Sequence, residues 1–174
     1  MKRHVVLVGM MGAGKTTIGR ALAAHLQRPF VDSDQLIEAT TGRTVREIWE
    51  EDGEPAFRVL ETRALVDALS EPEPLVIAAA GGTVLRQENR DALERAHALV
   101  VWLRADPGAL SQRVTTHGHR PLLDGDPEAA MRRLLPEREH FYAEVAHAVV
   151  DTGAASPDDV LVEVLAVVEE ADQS

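Results

Sequence analysis

Residues 9–16 read Gly-Met-Met-Gly-Ala-Gly-Lys-Thr, a complete match to the phosphate-binding pattern Gly-x-x-x-x-Gly-Lys-Ser/Thr. The apolar run Val5-Val6-Leu7-Val8 lies directly before it and is typical of a buried strand. Apolar residues recur at helical spacing after it. The motif is therefore expected in a strand-to-helix turn, where backbone N–H groups and the helix dipole can bind phosphate. A glycine-rich turn without a function is disfavoured, because both the spacing and the context are met.

This loop predicts a nucleotide site and part of a magnesium site. Lys15 can reach the outer phosphates, because its ammonium is a compact charge on a flexible stem. The Thr16 hydroxyl can ligate Mg²⁺. The predicted nucleotide-binding residues of the loop are Gly12, Ala13, Gly14, Lys15, Thr16 and Thr17.

The composition indicates a single globular domain, 1–174, and argues against several classes of function. The chain has 174 residues, of which 45% are hydrophobic, enough for one sizeable core. It has no cysteine, which excludes disulfides, thiolate metal sites and cysteine nucleophiles. A net charge of −11 argues against nucleic-acid partners. No apolar run is long enough to span a membrane and no signal peptide precedes the first strand, so we expect a cytoplasmic protein without a membrane partner.

Five short apolar runs predict strands, and amphipathic segments between them predict helices. This alternation predicts an α/β fold of three layers, α/β/α, with a parallel sheet and ligands at the carboxyl ends of its strands. The predicted strands are 4–8, 29–31, 75–79, 98–103 and 147–150. The predicted helices follow the phosphate-binding loop and cover 34–40, 44–69 with a break near 53–55, 87–95, 107–116, 127–146 and 157–170. Residues 169–174 are expected to form a frayed acidic tail.

Two segments differ from the predicted core. Residues 33–63 are rich in charge and follow the second strand, which suits a substrate-binding segment. Residues 114–125 contain two glycines, a proline and little periodicity, and this is typical of a mobile lid. His117 and His119 lie in this segment, but without a third ligand nearby a solvated loop is favoured over a metal site.

Two carboxylates follow the second predicted strand. Asp32 can hold magnesium through water, as a second acidic group does in phosphoryl-transfer sites. Asp34 can accept a proton from an acceptor hydroxyl. The alternative is that Ser33 or Asp34 caps the next helix, and for Asp34 the two interpretations stay open.

The other polar candidates are individually weak. Arg58 and Glu61 share a helix face beside Phe57, an arrangement that suits binding of a small carboxylate, although an exposed ion pair is the favoured interpretation of this pair alone. Gly81 and Gly82 close the third strand, where a ligand can approach the backbone, or where the chain simply turns. Three arginines lie in or around the predicted lid: Arg113, Arg120 and Arg138.

In their order and spacing, these blocks resemble the shikimate kinase family. The resemblance runs from Val5 to about Pro157. The matching blocks are 9–17, 32–34, 53–61, Gly81-Gly82, 120–123 and 137–142. The resemblance implies a P-loop kinase of the nucleoside-monophosphate-kinase type with a five-stranded parallel sheet. It implies ATP-dependent phosphorylation of the 3-hydroxyl of shikimate, in the pathway to chorismate and the aromatic amino acids, by an enzyme that uses ATP and Mg²⁺; a monomer is expected.

The resemblance also implies a role for each matching residue. Asp34 would hold the reacting hydroxyl and take its proton, while Lys15 and Arg120 would stabilise the transferring phosphoryl group. The implied substrate-binding residues are Asp34, Arg58, Gly81, Gly82 and Arg138, with the two arginines clamping the carboxylate. The implied metal ligands are Thr16, directly, and Asp32, through water. The implied nucleotide-binding residues beyond the loop are Arg113, Arg120 and Pro157.

One departure and three alternatives remain. The family has a third glycine where this chain has Ala80, which would cost about 1–2 kcal/mol if that position needed a positive φ; a negative φ is expected. A gluconate or nucleotide kinase is the nearest alternative, and it would not need the Arg58 and Arg138 clamp. A GTPase-like switch would require Asn-Lys-x-Asp, whereas Asn89, the only asparagine, has no lysine beside it. A nucleic-acid-binding ATPase conflicts with the net charge of −11.

Overall fold

The computed structural model describes residues 3–114 and 121–173. Within them, five strands form one parallel sheet in the order β2-β3-β1-β4-β5. The strands are β1 (Val5–Val8), β2 (Phe30–Asp32), β3 (Val76–Ala78), β4 (Leu99–Arg104) and β5 (Ala148–Asp151). Each predicted strand is confirmed to within one residue at either end, because fully buried parallel strands are continuous apolar runs.

Helices connect the strands and cover the sheet. Those of the described residues are α1 (Lys15–Leu26), α2 (Ser33–Thr41), α3 (Val45–Asp52), α4 (Glu54–Leu69), α5 (Gln87–Arg95), α6 (Pro107–Arg113), α7 (Pro127–Val145) and α8 (Pro157–Gln173). Two 3₁₀ turns are also present: Thr83–Leu85 follows β3, and Pro121–Leu123 precedes α7. The predicted break within 44–69 lies at Gly53, whose φ of 84° ends α3 and starts α4.

The main core lies around β1, the central strand. Val6 of β1 is opposite Ile77 of β3 and Val100 of β4, and all three side chains are buried. The burial of such apolar side chains is the main source of folding free energy. This arrangement places the loop that follows β1 in the middle of the carboxyl edge of the sheet.

Helices α2, α3 and α4 surround a second, smaller apolar cluster. It consists of Ile37, Val45, Ile48, Phe57 and Ala64. At the start of α3, Thr44 and Glu47 form a capping box, in which each side chain accepts a hydrogen bond from the other residue's backbone N–H. The charged segment 33–63 is therefore a packed helical unit beside the sheet.

Two expectations about helix ends were wrong. Helix α8 continues to Gln173 instead of fraying from residue 169, because its last turn is attached to the body of the protein: Arg28 donates to the carboxylate of Asp172 at 3.1 Å. Helix α6 ends at Arg113, earlier than the predicted residue 116. In the described part of the chain, no helix is long and apolar enough to cross a membrane.

Candidate active site

The phosphate-binding loop is shaped by three glycines with positive φ. Gly9, Gly12 and Gly14 have φ values of 143°, 83° and 95°. At two of them a side chain would also collide with backbone, since a Cβ would lie 2.4 Å from the oxygen of Leu103 at Gly9 and 2.7 Å from that of Leu110 at Gly12. The glycines of the motif therefore permit both the turn and its close packing against β4 and α6.

Lys15 is the first residue of α1 and its side chain lies along the loop. Its Nζ donates to the carbonyl oxygens of Gly9 at 2.8 Å and Met10 at 2.9 Å. The ammonium is thereby held at the positive end of the α1 dipole, which is the arrangement that binds phosphate groups.

Thr16 and Asp32 meet across the carboxyl ends of β1 and β2. The Thr16 hydroxyl donates to Asp32 Oδ2 at 2.7 Å, and Asp32 Oδ1 accepts from the N–H groups of Asp34 and Gln35. Asp32 is therefore the N-cap of α2, so the alternative that Ser33 or Asp34 caps this helix is ruled out. A hydroxyl and a carboxylate at this distance suit Mg²⁺, which takes one or two protein oxygens and completes its shell with phosphate and water.

Arg58 and Glu61 form a buried ion pair on α4. Arg58 Nη1 donates to Glu61 Oε2 at 2.6 Å, and the Glu61 side chain is only 1% exposed. The guanidinium lies 5.5 Å from the Trp49 ring and 5.7 Å from the Phe57 ring. The expectation of an exposed pair was wrong, because the face of α4 that carries Glu61 packs inwards with Phe57.

Gly81 and Gly82 leave space for two arginine side chains. A Cβ on Gly82 would lie 2.0 Å from Arg58 Nη1, and one on Gly81 would lie 3.2 Å from Arg138 Nη1. Neither glycine has a positive φ, nor does Ala80, so the expected negative φ at Ala80 is confirmed. The absence of a side chain at these positions therefore leaves room for the guanidinium groups, and no special backbone freedom is used.

Helix α7 contributes the second guanidinium. Arg138 is 2% exposed, and Tyr142, one turn later, donates from its hydroxyl to the Gly81 oxygen at 2.6 Å. Arg58 and Arg138 are 80 positions apart in sequence, yet both lie against the same glycine pair. The site therefore has two cations beside one backbone turn, an arrangement that suits a small anion.

Comparisons with known proteins assign this chain to a family. The family model described as shikimate kinase matches residues 11–169. The chain belongs to the shikimate kinase family. The family consists of phosphotransferases of the shikimate pathway, which leads to the aromatic amino acids, and its members use ATP.

Individual relatives agree with the family model. The chain is 46% identical over 165 residues to a shikimate kinase from Symbiobacterium thermophilum, with 93% of this chain and 94% of the relative covered. A shikimate kinase structure from Acinetobacter baumannii, in complex with shikimate, is 38% identical with a TM-score of 0.94, covering 100% of this chain and 97% of that one. A gluconokinase from Sinorhizobium meliloti is 21% identical with a TM-score of 0.65, covering 97% of this chain and 93% of that one, and shows a shared fold alone.

In this shikimate kinase family member, most of the predicted site residues line one cleft of about 980 Å³. They are Gly12, Ala13, Gly14, Lys15, Thr16, Thr17, Asp32, Asp34, Arg58, Gly81, Gly82, Arg113, Arg138 and Pro157. Arg120, His117 and His119 belong to residues 115–120 of the predicted lid, and these lie outside the described residues. Arg113 is held at the cleft wall, because its guanidinium donates to the Gly153 oxygen at 2.9 Å and to the Thr152 hydroxyl at 3.2 Å.

An ion pair that no sequence pattern predicts joins two walls of the cleft. Arg46 of α3 donates through both terminal nitrogens to Asp124, at 2.7 and 3.0 Å. The two residues are 78 positions apart, and neither lies in a motif. No local sequence signal could have paired them. The contact connects the helical segment 33–63 to the turn before α7.

Burial changes the ionisation of two groups in the site. The pKa of Glu61 is raised to about 7, mainly by desolvation and also by the nearby Asp34 carboxylate, although Arg58 opposes this shift. Burial likewise raises the pKa of the Tyr142 hydroxyl to about 12. Tyr142 is therefore a neutral donor, and Glu61 exchanges its proton near neutral pH.

Glu61 should make the stability of the protein depend on pH. Since its pKa rises from 4.5 in the unfolded chain to about 7 in the fold, the native state binds the extra proton, and stability is lost as the pH rises through this window. Between pH 4.5 and 8 the loss should approach 3 kcal/mol, roughly 1.4 kcal/mol per pKa unit. Urea unfolding of wild type and Glu61→Gln across this range should show the glutamine variant gaining relative to wild type as the pH increases.

The matched control is Glu54→Gln, which removes an exposed carboxylate bound to the same arginine at 3.0 Å. The stability difference between this variant and wild type should vary much less with pH. A Glu61→Gln difference that is constant from pH 4.5 to 8 would contradict the assignment.

Proposed function

We propose that the cleft binds ATP at the phosphate-binding loop and shikimate at the Arg58–Arg138 end, and that the phosphoryl group is transferred to the shikimate 3-hydroxyl between them. The observation that carries this proposal is the pair of guanidinium groups beside Gly81-Gly82, that of Arg138 buried and that of Arg58 largely so, in the same cleft as Lys15 and Asp34. A carboxylate bound there would place the ring of the acceptor near Asp34.

Each group has a distinct role in this proposal. Lys15 stabilises the negative charge on the outer phosphates during transfer. Asp34 holds the reacting hydroxyl and takes its proton. The backbone N–H of Gly81 and the guanidinium groups of Arg58 and Arg138 bind the substrate carboxylate, and the ion pair with Glu61 orients Arg58.

Thr16 and Asp32 are the residues that would hold Mg²⁺, which when bound would offset the phosphate charge. Arg113 and Pro157 would flank the adenine ring, where both line the cleft beyond the loop. Arg120 as a second phosphoryl-stabilising cation, the lid motion, the monomeric state and the cytoplasmic location all stay predictions.

The test of the substrate site is truncation of its two arginines. We expect Arg58→Ala and Arg138→Ala each to raise the KM for shikimate by at least about tenfold, since a hydrogen bond to a charged group contributes about 1.5–3 kcal/mol. The KM for ATP should change little. The variants Arg58→Lys and Arg138→Lys should also show a raised KM for shikimate, because lysine cannot make two parallel hydrogen bonds to a carboxylate. Steady-state kinetics in a coupled assay measure both constants.

Matched controls lie on the same helices. Arg63→Ala on α4 and Arg132→Ala on α7 each remove an exposed arginine from an ion pair within its own helix. Both should leave the KM for shikimate unchanged. If Arg58→Ala and Arg138→Ala bind shikimate normally, the carboxylate lies elsewhere and the proposed orientation of the substrate is wrong.

A further inference from the structure

The turn that follows β3, residues 80–85, is held in place by hydrogen bonds to its carbonyl groups. Every carbonyl from residue 80 to residue 85 accepts a hydrogen bond. Asn89 Nδ2 donates to the Thr83 oxygen at 2.8 Å, and Arg90 Nη1 donates to the next two, at 2.7 and 3.3 Å. The first residues of α5 therefore hold three successive carbonyl groups, and the acceptor side of this turn is fully used.

The donor side of the same turn differs. Within the described residues, the N–H groups of Gly81 and Gly82 have no acceptor. Gly82 and Gly81 line the cleft, so these donors are available to a ligand there. In a planar peptide unit, the Ala80 carbonyl sets the direction of the Gly81 N–H and the Gly81 carbonyl sets that of the Gly82 N–H. These two carbonyls accept from the Thr83 N–H and from the Tyr142 hydroxyl, while Arg90 holds the carbonyls of the 3₁₀ turn that follows directly.

Arg90 joins this turn to a second element of the site. Its Nε donates to Glu144 Oε1 at 3.0 Å, and its guanidinium carbon lies 4.2 Å from the centre of the Phe141 ring. Both partners are on α7, the helix that carries Arg138. The Arg90 side chain is 9% exposed and does not line the cleft, so any effect on the ligand must pass through its neighbours.

We propose that Arg90 is a positioning residue for the anion-binding end of the cleft. It holds the 3₁₀ turn Thr83–Leu85, which directly follows Gly81-Gly82, in a fixed position relative to helix α7. The N–H donors of the two glycines and the guanidinium of Arg138 then face one carboxylate together. Anion recognition by several donors depends on placement within about 0.5 Å, and a connecting residue can therefore affect affinity without contact. This proposal rests on the substrate site proposed above.

The test is Arg90→Met, which keeps a long apolar side chain against Phe141 but removes the hydrogen bonds. We expect its KM for shikimate to rise about tenfold, with the KM for ATP changed less than about twofold. Arg90→Lys should also be impaired, because an ammonium lacks the planar fork with which the guanidinium binds the turn and Glu144 at the same time. The control is Arg95→Met at the exposed end of α5, which should resemble wild type.

A second variant decides the question if Arg90→Met does not fold. Glu144→Gln weakens only the connection to α7, and this side chain is 49% exposed, so the fold should tolerate the change. We expect this variant to raise the KM for shikimate, but by less than Arg90→Met does. The control Glu139→Gln changes another exposed carboxylate of α7 and should leave this KM unchanged. In the background of Arg138→Ala, either change should add less than it does alone, because both act on the same contact.

The outcomes separate this inference from the substrate site itself. If Arg58→Ala and Arg138→Ala raise the KM for shikimate while Arg90→Met and Glu144→Gln lower only the melting temperature, Arg90 has a merely structural role and the inference is overturned. If all four variants bind shikimate normally, the proposed substrate site is wrong as well. A rise in the KM for ATP equal to that for shikimate would also overturn it, since it would indicate a general disturbance of the cleft.

Discussion

Replacing Lys15 by alanine should reduce phosphoryl transfer by at least about 10²–10³-fold, the typical cost of removing one preorganised group that stabilises transition-state charge. The ammonium lies at the start of α1, within a loop that bends around it, and it donates to the loop carbonyl groups of Gly9 and Met10. No other residue described in the loop carries a positive charge. The measurement is kcat with both substrates saturating.

The fold of Lys15→Ala should persist. Alanine is the best helix former, and the two hydrogen bonds lost are only partly buried, each with a net contribution of about 1 kcal/mol. Lys15→Arg should lose most activity as well, because a planar guanidinium does not replace a compact ammonium in so tight a turn. Arg20→Ala, an exposed cation on the same helix, is the control and should retain normal turnover. Near wild-type turnover of Lys15→Ala would refute the proposed role of the loop.

The parts of this molecule that could be predicted from sequence are those that local rules determine. The strands are continuous apolar runs, and the loop 9–16 combines a fixed spacing with a strand before it and a helix after it. Such features depend on neighbours in sequence. The strands were therefore predicted to within one residue at each end, and the motif was located completely.

The parts that could not be predicted depend on contacts between distant segments. For Gly82 the sequence left open a close approach of a ligand or an ordinary turn, and neither interpretation predicts that the Arg58 guanidinium lies where a side chain would be. The burial of Glu61 depends on how α4 packs, and the Arg46–Asp124 pair joins residues far apart in sequence. The family resemblance compensated for part of this, since it named Arg58 and Arg138 together before any geometry was known.

Asp34→Asn should reduce kcat by about 10²–10⁴-fold, the usual contribution of a general base, while ATP binding stays close to normal. Asp34 lies in the first turn of α2, beside the Asp32 cap, and lines the cleft with Lys15 and Arg58. The amide can still hold a hydroxyl group by a hydrogen bond, but it cannot take its proton. The comparison of kcat with the dissociation constant for ATP therefore separates proton transfer from positioning.

Asp32→Asn is the matched comparison for Asp34→Asn. Asp32 caps α2 and accepts from Thr16, so Asp32→Asn should act mainly on the magnesium concentration that the enzyme requires. Asp34→Asn removes a charge from a helix N-terminus, which costs only about 0.3–1 kcal/mol of stability, so a large loss of kcat would not reflect unfolding. If Asp34→Asn keeps more than about a tenth of wild-type turnover, Asp34 positions the hydroxyl without taking its proton. The phosphoryl group's own oxygens would then accept the proton, and catalysis would depend on charge stabilisation by the cations of the site and on the orientation of the acceptor.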